Sequence, residues 1–146
     1  MKFTKYLAIG AILVAGAAFA EGDRTDPNAK ARSDLMRIIG KNTGILGDMA
    51  GGKTAHDAAA AEAAKAAIIE ASAGIETAFA EEGAADPASE AKAEIWTNWD
   101  DFLADAKALN AAATAMDVAS AETIGAGMGA LGGTCKDCHT EFRVKK

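Results

Sequence analysis

The sequence predicts an all-α protein, an antiparallel up-down-up-down four-helix bundle. Alanine, the strongest helix former, is abundant, and no segment alternates apolar and polar residues over the length of a useful strand. Four stretches of about 25 residues carry apolar residues at helical spacing, and short connections join them. A bundle is the simplest arrangement that buries one face of each of four such helices.

The N-terminal segment has the features of a secretory signal peptide. A short cationic start precedes an apolar run at 7–19, and 18–20 form a small-x-small cleavage site. The run is too short to span a bilayer as a stable helix, although an uncleaved membrane anchor is the alternative. We therefore expect a signal peptide at 1–20 and one mature domain at 21–146, without stable membrane insertion after cleavage.

The charge balance restricts the partners of the mature chain. The whole chain has a formal charge of −6, and cleavage removes Lys2 and Lys5, which leaves 13 basic and 21 acidic side chains and a charge of −8. An acidic surface argues against nucleic acid and anionic membranes as partners. It permits docking to a basic patch on a partner protein.

The first helix is predicted at about 28–50, with Asp26 as its cap and Pro27 in its first turn. Its apolar face is expected to consist of Leu35, Ile38, Leu46 and Met49. Three glycines interrupt this helix, and each costs about 1 kcal/mol relative to alanine. Close approach of another helix or of a planar cofactor would explain them, and so would a broken helix end; they are Gly40, Gly44 and Gly47.

Three further helices follow at about 55–80, 88–115 and 120–142. Thr54 is the expected cap of the second helix, and Asp86 with Pro87 is the expected start of the third. The fourth begins near Asp117 or Ser120. The predicted buried stripes of the three helices are, in chain order, Ile68, Ser72, Ile75 and Phe79; Ile95, Trp99, Phe102, Ala106 and Leu109; and Ile124, Met128, Leu131, Cys135, His139 and Phe142.

The two cysteines of the chain lie within one turn of the fourth helix, in the motif Cys135-Lys136-Asp137-Cys138-His139. Residues i, i+3 and i+4 share one side of a helix. Two thiols at this spacing can attach covalently to the two vinyl groups of one haem, and the adjacent imidazole can bind its iron. The motif therefore predicts one covalently attached haem c.

Three other interpretations compete for the same motif. A disulfide between Cys135 and Cys138 would leave His139 without a role, and a thioredoxin-like site requires a βαβ context that the chain lacks. A zinc site requires four ligands, and His56 is the one remaining histidine. His56 lies near a helix start, where a solvated residue is the simpler interpretation.

The sequence resembles the class II cytochromes c, which comprise cytochrome c′ and its low-spin relatives. The late position of the motif, after an export signal and four helices, is typical of this family, and the tail from Thr140 through Phe142-Arg143 resembles the family's ending. The segments 32–36 and 95–100 resemble its first and third helices.

The resemblance implies roles for individual residues. His139 would be the proximal iron ligand, and Arg143 would lie near it and modulate it. Arg32 would approach a haem propionate, for which a guanidinium fork is suited. Met36 occupies the position that faces the distal side of the iron, where it would either bind the iron, pack over it, or serve as a core residue.

Met36 therefore separates two functions. With Met36 as sixth ligand the protein is a low-spin electron carrier, which is our first hypothesis; the alternative is a five-coordinate cytochrome that binds nitric oxide or another small gas. An enzyme is the least favoured hypothesis, because no distal acid or base is placed beside Met36.

Export and covalent haem together predict a periplasmic protein, and its redox partner proteins are not named by the sequence. The small residues of the first helix would suit a homodimer contact or packing within the chain.

Overall fold

A computed structural model describes residues 24–145, so the expected signal peptide at 1–20 lies outside the described residues. Within them the chain forms six helices: α1 (Pro27–Ala50), α2 (Ala58–Ala73), α3 (Ile75–Phe79), α4 (Glu94–Thr97), α5 (Trp99–Ala115) and α6 (Ala121–Phe142). The long helices pack in a ring, α1 against α2 and α6, and α5 against α2 and α6. The predicted four-helix bundle is thus confirmed, with α3 continuing α2 and α4 preceding α5.

The first and last helices begin where the sequence predicts. The carboxylate of Asp26 accepts a hydrogen bond from the amide of Ala29, and Pro27 occupies the first turn of α1. Ser120 caps α6 through a reciprocal pair of hydrogen bonds with Thr123. Both helices therefore have their first unpaired amides satisfied by local side chains.

The second helix differs from the expectation at both ends. Its cap is Asp57, which accepts from the amide of Ala60, and not Thr54. The helix stops at Gly74, and the short α3 completes the span to Phe79. The predicted buried stripe from Ile68 to Phe79 is nevertheless buried, because the two helices continue in nearly the same phase.

The third helix was expected to start at Asp86 and Pro87, and this expectation is wrong. Asp86 instead uses one carboxylate oxygen to accept from the amides of Thr25 and Asp26, which ties this segment to the start of α1. Residues 80–93 form an extended connection, and α5 begins only at Trp99. The physical reason is that the backbone at 90–92 bonds to the end of α6 rather than to itself.

The core-facing side of α1 differs from the predicted face at one position. Ile38 is 48% exposed, whereas Ile39 is buried with Leu46 and Met49. The helix is unbroken through its three glycines, and a side chain at Gly40 or Gly44 would meet no atom within 4 Å. Close helix packing therefore does not explain those two glycines.

The connection after α3 contains one glycine that the fold requires. Gly83 has a φ of +78°, and a Cβ there would lie 2.6 Å from Oδ1 of Asp26. Asp26 also accepts from the amide of Ala84 at 3.0 Å, which holds the connection against α1. Among the described helices, none is long and apolar enough to cross a membrane.

Candidate functional site

A cavity of about 510 Å³ opens at the end of the bundle where α6 ends and α1 begins, a size typical of ligand sites. Helices α1, α3, α5 and α6 and the connection before α4 form its walls, and much of its lining is apolar. All the site residues that the sequence predicts line this cavity: Arg32, Met36, Cys135, Cys138, His139 and Arg143.

The two thiols lie on the inner side of α6, half-buried and not bonded to each other. Burial raises the pKa of Cys138 to about 12, with the nearby charge of Asp105 as the next cause, and burial also raises the pKa of Cys135. Both side chains are therefore neutral thiols at neutral pH in this structure. The disulfide interpretation does not describe this arrangement.

His139 is half-buried beside the thiols. Burial and then the charge of Arg143 lower the pKa of its imidazole, while the carboxylate of Glu90 opposes them. A lowered pKa keeps the ring neutral at physiological pH, which is the form that binds metals. The donor set on α6, two thiols and a neutral imidazole within one turn, matches the chemistry of covalent haem attachment.

The zinc interpretation requires ligands in addition to Cys135, Cys138 and His139. Among residues 24–145 no group of three or more His, Cys, Asp or Glu side chains is arranged to hold a metal ion. His56 lies outside the cavity lining, and its Nε2 is 2.9 Å from the carbonyl oxygen of Val118. The histidine is half-buried and connects two loops, so it is not the freely solvated residue that the sequence suggested.

Arg32 enters the cavity wall from the first helix and is only 5% exposed. Its terminal nitrogens donate to the carbonyl oxygens of Glu81 and Glu82, and its guanidinium lies 5.6 Å and 5.3 Å from the ring centres of Phe79 and Trp96. Burial lowers its pKa, although the group stays charged. Its terminal nitrogens therefore bind the connection that follows α3, which the sequence did not indicate.

Two buried polar atoms at this cavity lack a hydrogen-bond partner within the described part of the chain, Nε of Arg32 and Oγ1 of Thr43. Buried polar atoms are rarely left unpaired, but each of these two is enclosed by protein and does not face the open space of the cavity. The apolar walls and the thiol and imidazole donors on α6 are the features that fit a haem.

Aromatic side chains form the floor of the cavity. The ring of Phe102 lies 5.0 Å from Phe79 and 5.4 Å from Phe142, and Trp99 stacks on its other side at 5.6 Å. These are favourable distances for aromatic pairs. The cluster gives the site a rigid apolar surface and fixes the end of α6 through Phe142.

Met36 is half-buried in the cavity wall on α1 and packs against the core. Gly40 follows one turn later and also lines the cavity. A helical side chain covers the turn before its own Cα, so glycine at 40 leaves Met36 uncovered. No described atom lies within 4 Å of a Cβ built at Gly40, so the cavity wall is open one turn after Met36.

Glu90 is a site residue that sequence reasoning missed. It lines the cavity from the connection before α4 and binds Arg143 with its carboxylate. The sequence placed it in a helix, so its pairing with the chain end was hidden. No local pattern could have identified it, since its partner lies 53 residues away.

Comparison with known proteins gives a consistent result. A family model described as Cytochrome C′ matches residues 28–143. Cytochrome c-556 of Agrobacterium tumefaciens (strain apple 185) is 37% identical over 119 residues, which cover 80% of this chain and 94% of that protein. Cytochrome c′ of Pararhodospirillum photometricum is 39% identical over 121 residues, which cover 77% and 92%.

Solved structures agree with the fold. Cytochrome c′ from Rhodobacter Spheriodes superposes with a TM-score of 0.74 at 31% identity, covering 82% of this chain and 96% of that one. A nitric oxide complex of a variant cytochrome c prime from Alcaligenes xylosoxidans has a TM-score of 0.71 at 23% identity, with coverage of 81% and 94%. At that identity the second likeness shows the fold alone.

Proposed function

The chain belongs to the cytochrome c′ family, and we propose that it is a five-coordinate cytochrome that binds nitric oxide or another small gas. The family carries one covalently attached haem c, and the two cysteines for it are present. The observation that carries the gas-binding proposal is the match of residues 28–143 to the family model described as Cytochrome C′. Met36 and Gly40, one turn apart on α1, both line the cavity in which the haem would lie.

Each residue of the motif has one task in this proposal. Cys135 and Cys138 would hold the haem through thioether bonds, and neutral His139 would bind the iron from α6. When bound, the haem supplies an iron that exchanges one electron and accepts a diatomic ligand. The aromatic floor and the apolar walls exclude water from this space.

Met36 would pack over the distal side and move aside when a gas enters. A methionine side chain changes rotamer readily, and no described atom lies within 4 Å of a Cβ built at Gly40, one turn away. Replacing Gly40 by a larger residue would therefore restrict access.

An electron carrier with Met36 as sixth ligand is the second candidate, and it was the first hypothesis from the sequence. The observation in its favour is that the Met36 thioether lies in the same cavity as His139. The match to the cytochrome c′ family favours the gas-binding alternative.

The absorption and electron paramagnetic resonance spectra of the oxidised holoprotein test the proposal. We expect a high-spin, five-coordinate ferric haem and nitric oxide binding to the reduced protein. Met36→Ala should leave the spin state unchanged and accelerate nitric oxide association. A low-spin spectrum with a methionine-to-iron charge-transfer band that disappears in Met36→Ala would overturn the proposal and support the electron carrier.

We further propose that the protein is exported to the periplasm after cleavage behind Ala20. N-terminal sequencing of protein from the periplasmic fraction should begin at Glu21. The exposed glycines of α1 are a surface on which a second copy would pack, and equilibrium sedimentation of the holoprotein tests this homodimer. Redox partner proteins would approach the mouth of the cavity.

A further inference from the structure

The connection before α4 is joined to the end of α6 by backbone hydrogen bonds. The amide of Val144 donates to the carbonyl of Glu90 at 2.8 Å, and the amide of Lys92 donates to the carbonyl of Phe142 at 3.0 Å. Ala91 and Arg143 form an isolated antiparallel bridge between them. This pairing places residue 90 directly beside the residues that follow His139.

An ion pair adds a side-chain link at the same point. Oε2 of Glu90 accepts a hydrogen bond from Nε of Arg143 at 2.6 Å and forms an ion pair with Nη2 at 2.5 Å. The Glu90 side chain is only 14% exposed, whereas that of Arg143 is 50% exposed. The carboxylate is therefore the fixed, enclosed partner, and it determines where the guanidinium lies.

Both members of the pair lie beside the turn that carries His139. Arg143 follows His139 by four residues, and the backbone bridge between Ala91 and Arg143 places Glu90 alongside it. Both side chains also line the cavity that would hold the haem. Partial burial makes such charges more effective than pairs in bulk water.

We propose that Glu90 is a positioning residue of the haem site, which holds Arg143 beside His139 and neutralises its charge there, so that the pair sets the reduction potential of the iron. The inference rests on the proposed function, since it requires a haem bound by His139. It concerns one electron, added by a chemical titrant to ferric iron to give ferrous iron.

Removing one charge of the pair or the other should shift the reduction potential in opposite directions. Without the carboxylate, the uncompensated Arg143 charge disfavours the ferric state, so Glu90→Gln should raise the reduction potential. Without the guanidinium, the enclosed Glu90 charge favours the ferric state, so Arg143→Gln should lower it. The double variant loses both charges and should return near the parent value.

Potentiometric titration of the four holoproteins, with dithionite and ferricyanide as titrants, measures these shifts. We expect each single variant to change the equilibrium constant for reduction by about tenfold, which equals about 59 mV for one electron. Glu94→Gln is the matched control, because Glu94 lies four residues further along the chain and is 50% exposed. It should shift the potential far less than Glu90→Gln.

A second measurement reports on position rather than charge. Hydrogen exchange of the Val144 amide should accelerate in Glu90→Gln and remain slow in Glu90→Asp, which keeps the charge. If Glu90→Gln fails to fold, Arg143→Gln and Glu90→Asp test the inference instead: the reduction potential should fall in Arg143→Gln and stay near the parent value in Glu90→Asp.

Two results would overturn the inference: equal shifts in the Glu90→Gln and Glu94→Gln proteins, or a double variant that retains the full shift of one single variant. Either could occur in a protein with covalent, redox-active haem, which would leave the proposed function intact. Absence of covalent haem from the purified parent protein would instead contradict the proposed function itself.

Discussion

The two ends of the helix bundle are closed in different ways. At the end away from the cavity, protein groups satisfy one another: Nζ of Lys65 donates to the carbonyl of Met116 at 2.7 Å, His56 bonds to Val118, and Ser120 caps α6. At the cavity end, Nε of Arg32 and Oγ1 of Thr43 are buried without a hydrogen-bond partner among residues 24–145, and the cavity of about 510 Å³ lies open nearby. The comparison shows which part of the core the chain completes by itself and which part it leaves for a bound group.

The largest expected effect is on haem retention, at the cavity end of the bundle. Cys135→Ser combined with Cys138→Ser removes both covalent attachments, so haem should be lost completely on acid-acetone extraction, while the parent retains it after denaturation. Ser120→Ala, at the closed end, is the control and should retain covalent haem. Free extraction of haem from the parent protein would refute covalent attachment.

A core truncation at the closed end should reduce stability without changing the haem. Ile124 is completely buried, and Ile124→Ala should lower the free energy of unfolding of the holoprotein by about 2–5 kcal/mol. Denaturant titration followed by circular dichroism measures the change. The absorption spectrum should match that of the parent, and a changed spin state would show that the two ends are not independent.

Acid should loosen the cavity end through two carboxylates. Hydrogen bonds from backbone amides lower the pKa of Asp26, mainly from Ala29, and of Asp86, mainly from Asp26, below their usual 3.8. Their contribution to stability is complete above pH 3.8 and is lost as the pH falls through the lower folded-state values.

Thermal unfolding from pH 5 to pH 2 tests this dependence. Asp86→Asn should be less stable than the parent at neutral pH and should lose less stability on acidification. Parallel curves for the two proteins would show that Asp86 does not contribute to the acid response.

The smallest expected effects on stability come from replacing one polar side chain at each end of the bundle. Ser120→Ala should cost about 0.5–2 kcal/mol, because it removes a helix cap. Thr43→Val should change stability by less than about 0.5 kcal/mol, because no protein group within residues 24–145 bonds to Oγ1. Urea titration of the holoproteins measures both, and a larger loss in Thr43→Val would identify a bond from Oγ1 to the bound haem.

Sequence reasoning succeeded where the information is local. The bundle, the starts of α1 and α6, and the inner face of α6 follow from helix periodicity and capping. All six predicted site residues line one cavity, yet their individual roles stay predictions. On α1, Leu46 and Met49 are buried as predicted, but Ile39 is buried in place of Ile38, because helical periodicity does not distinguish two adjacent apolar residues at one position of a face.

The sequence by itself determined the haem-attachment turn, because Cys135, Cys138 and His139 are placed together by the geometry of one helix. Only the tertiary structure determined the cavity wall that the connection before α4 forms. Residues 80–93 had the composition of a helix start, but Asp86 bonds to the start of α1 and Glu90 to the end of α6. Such pairings join segments more than 50 residues apart, and no local pattern encodes them, because their free energy comes from groups that meet only in the folded chain.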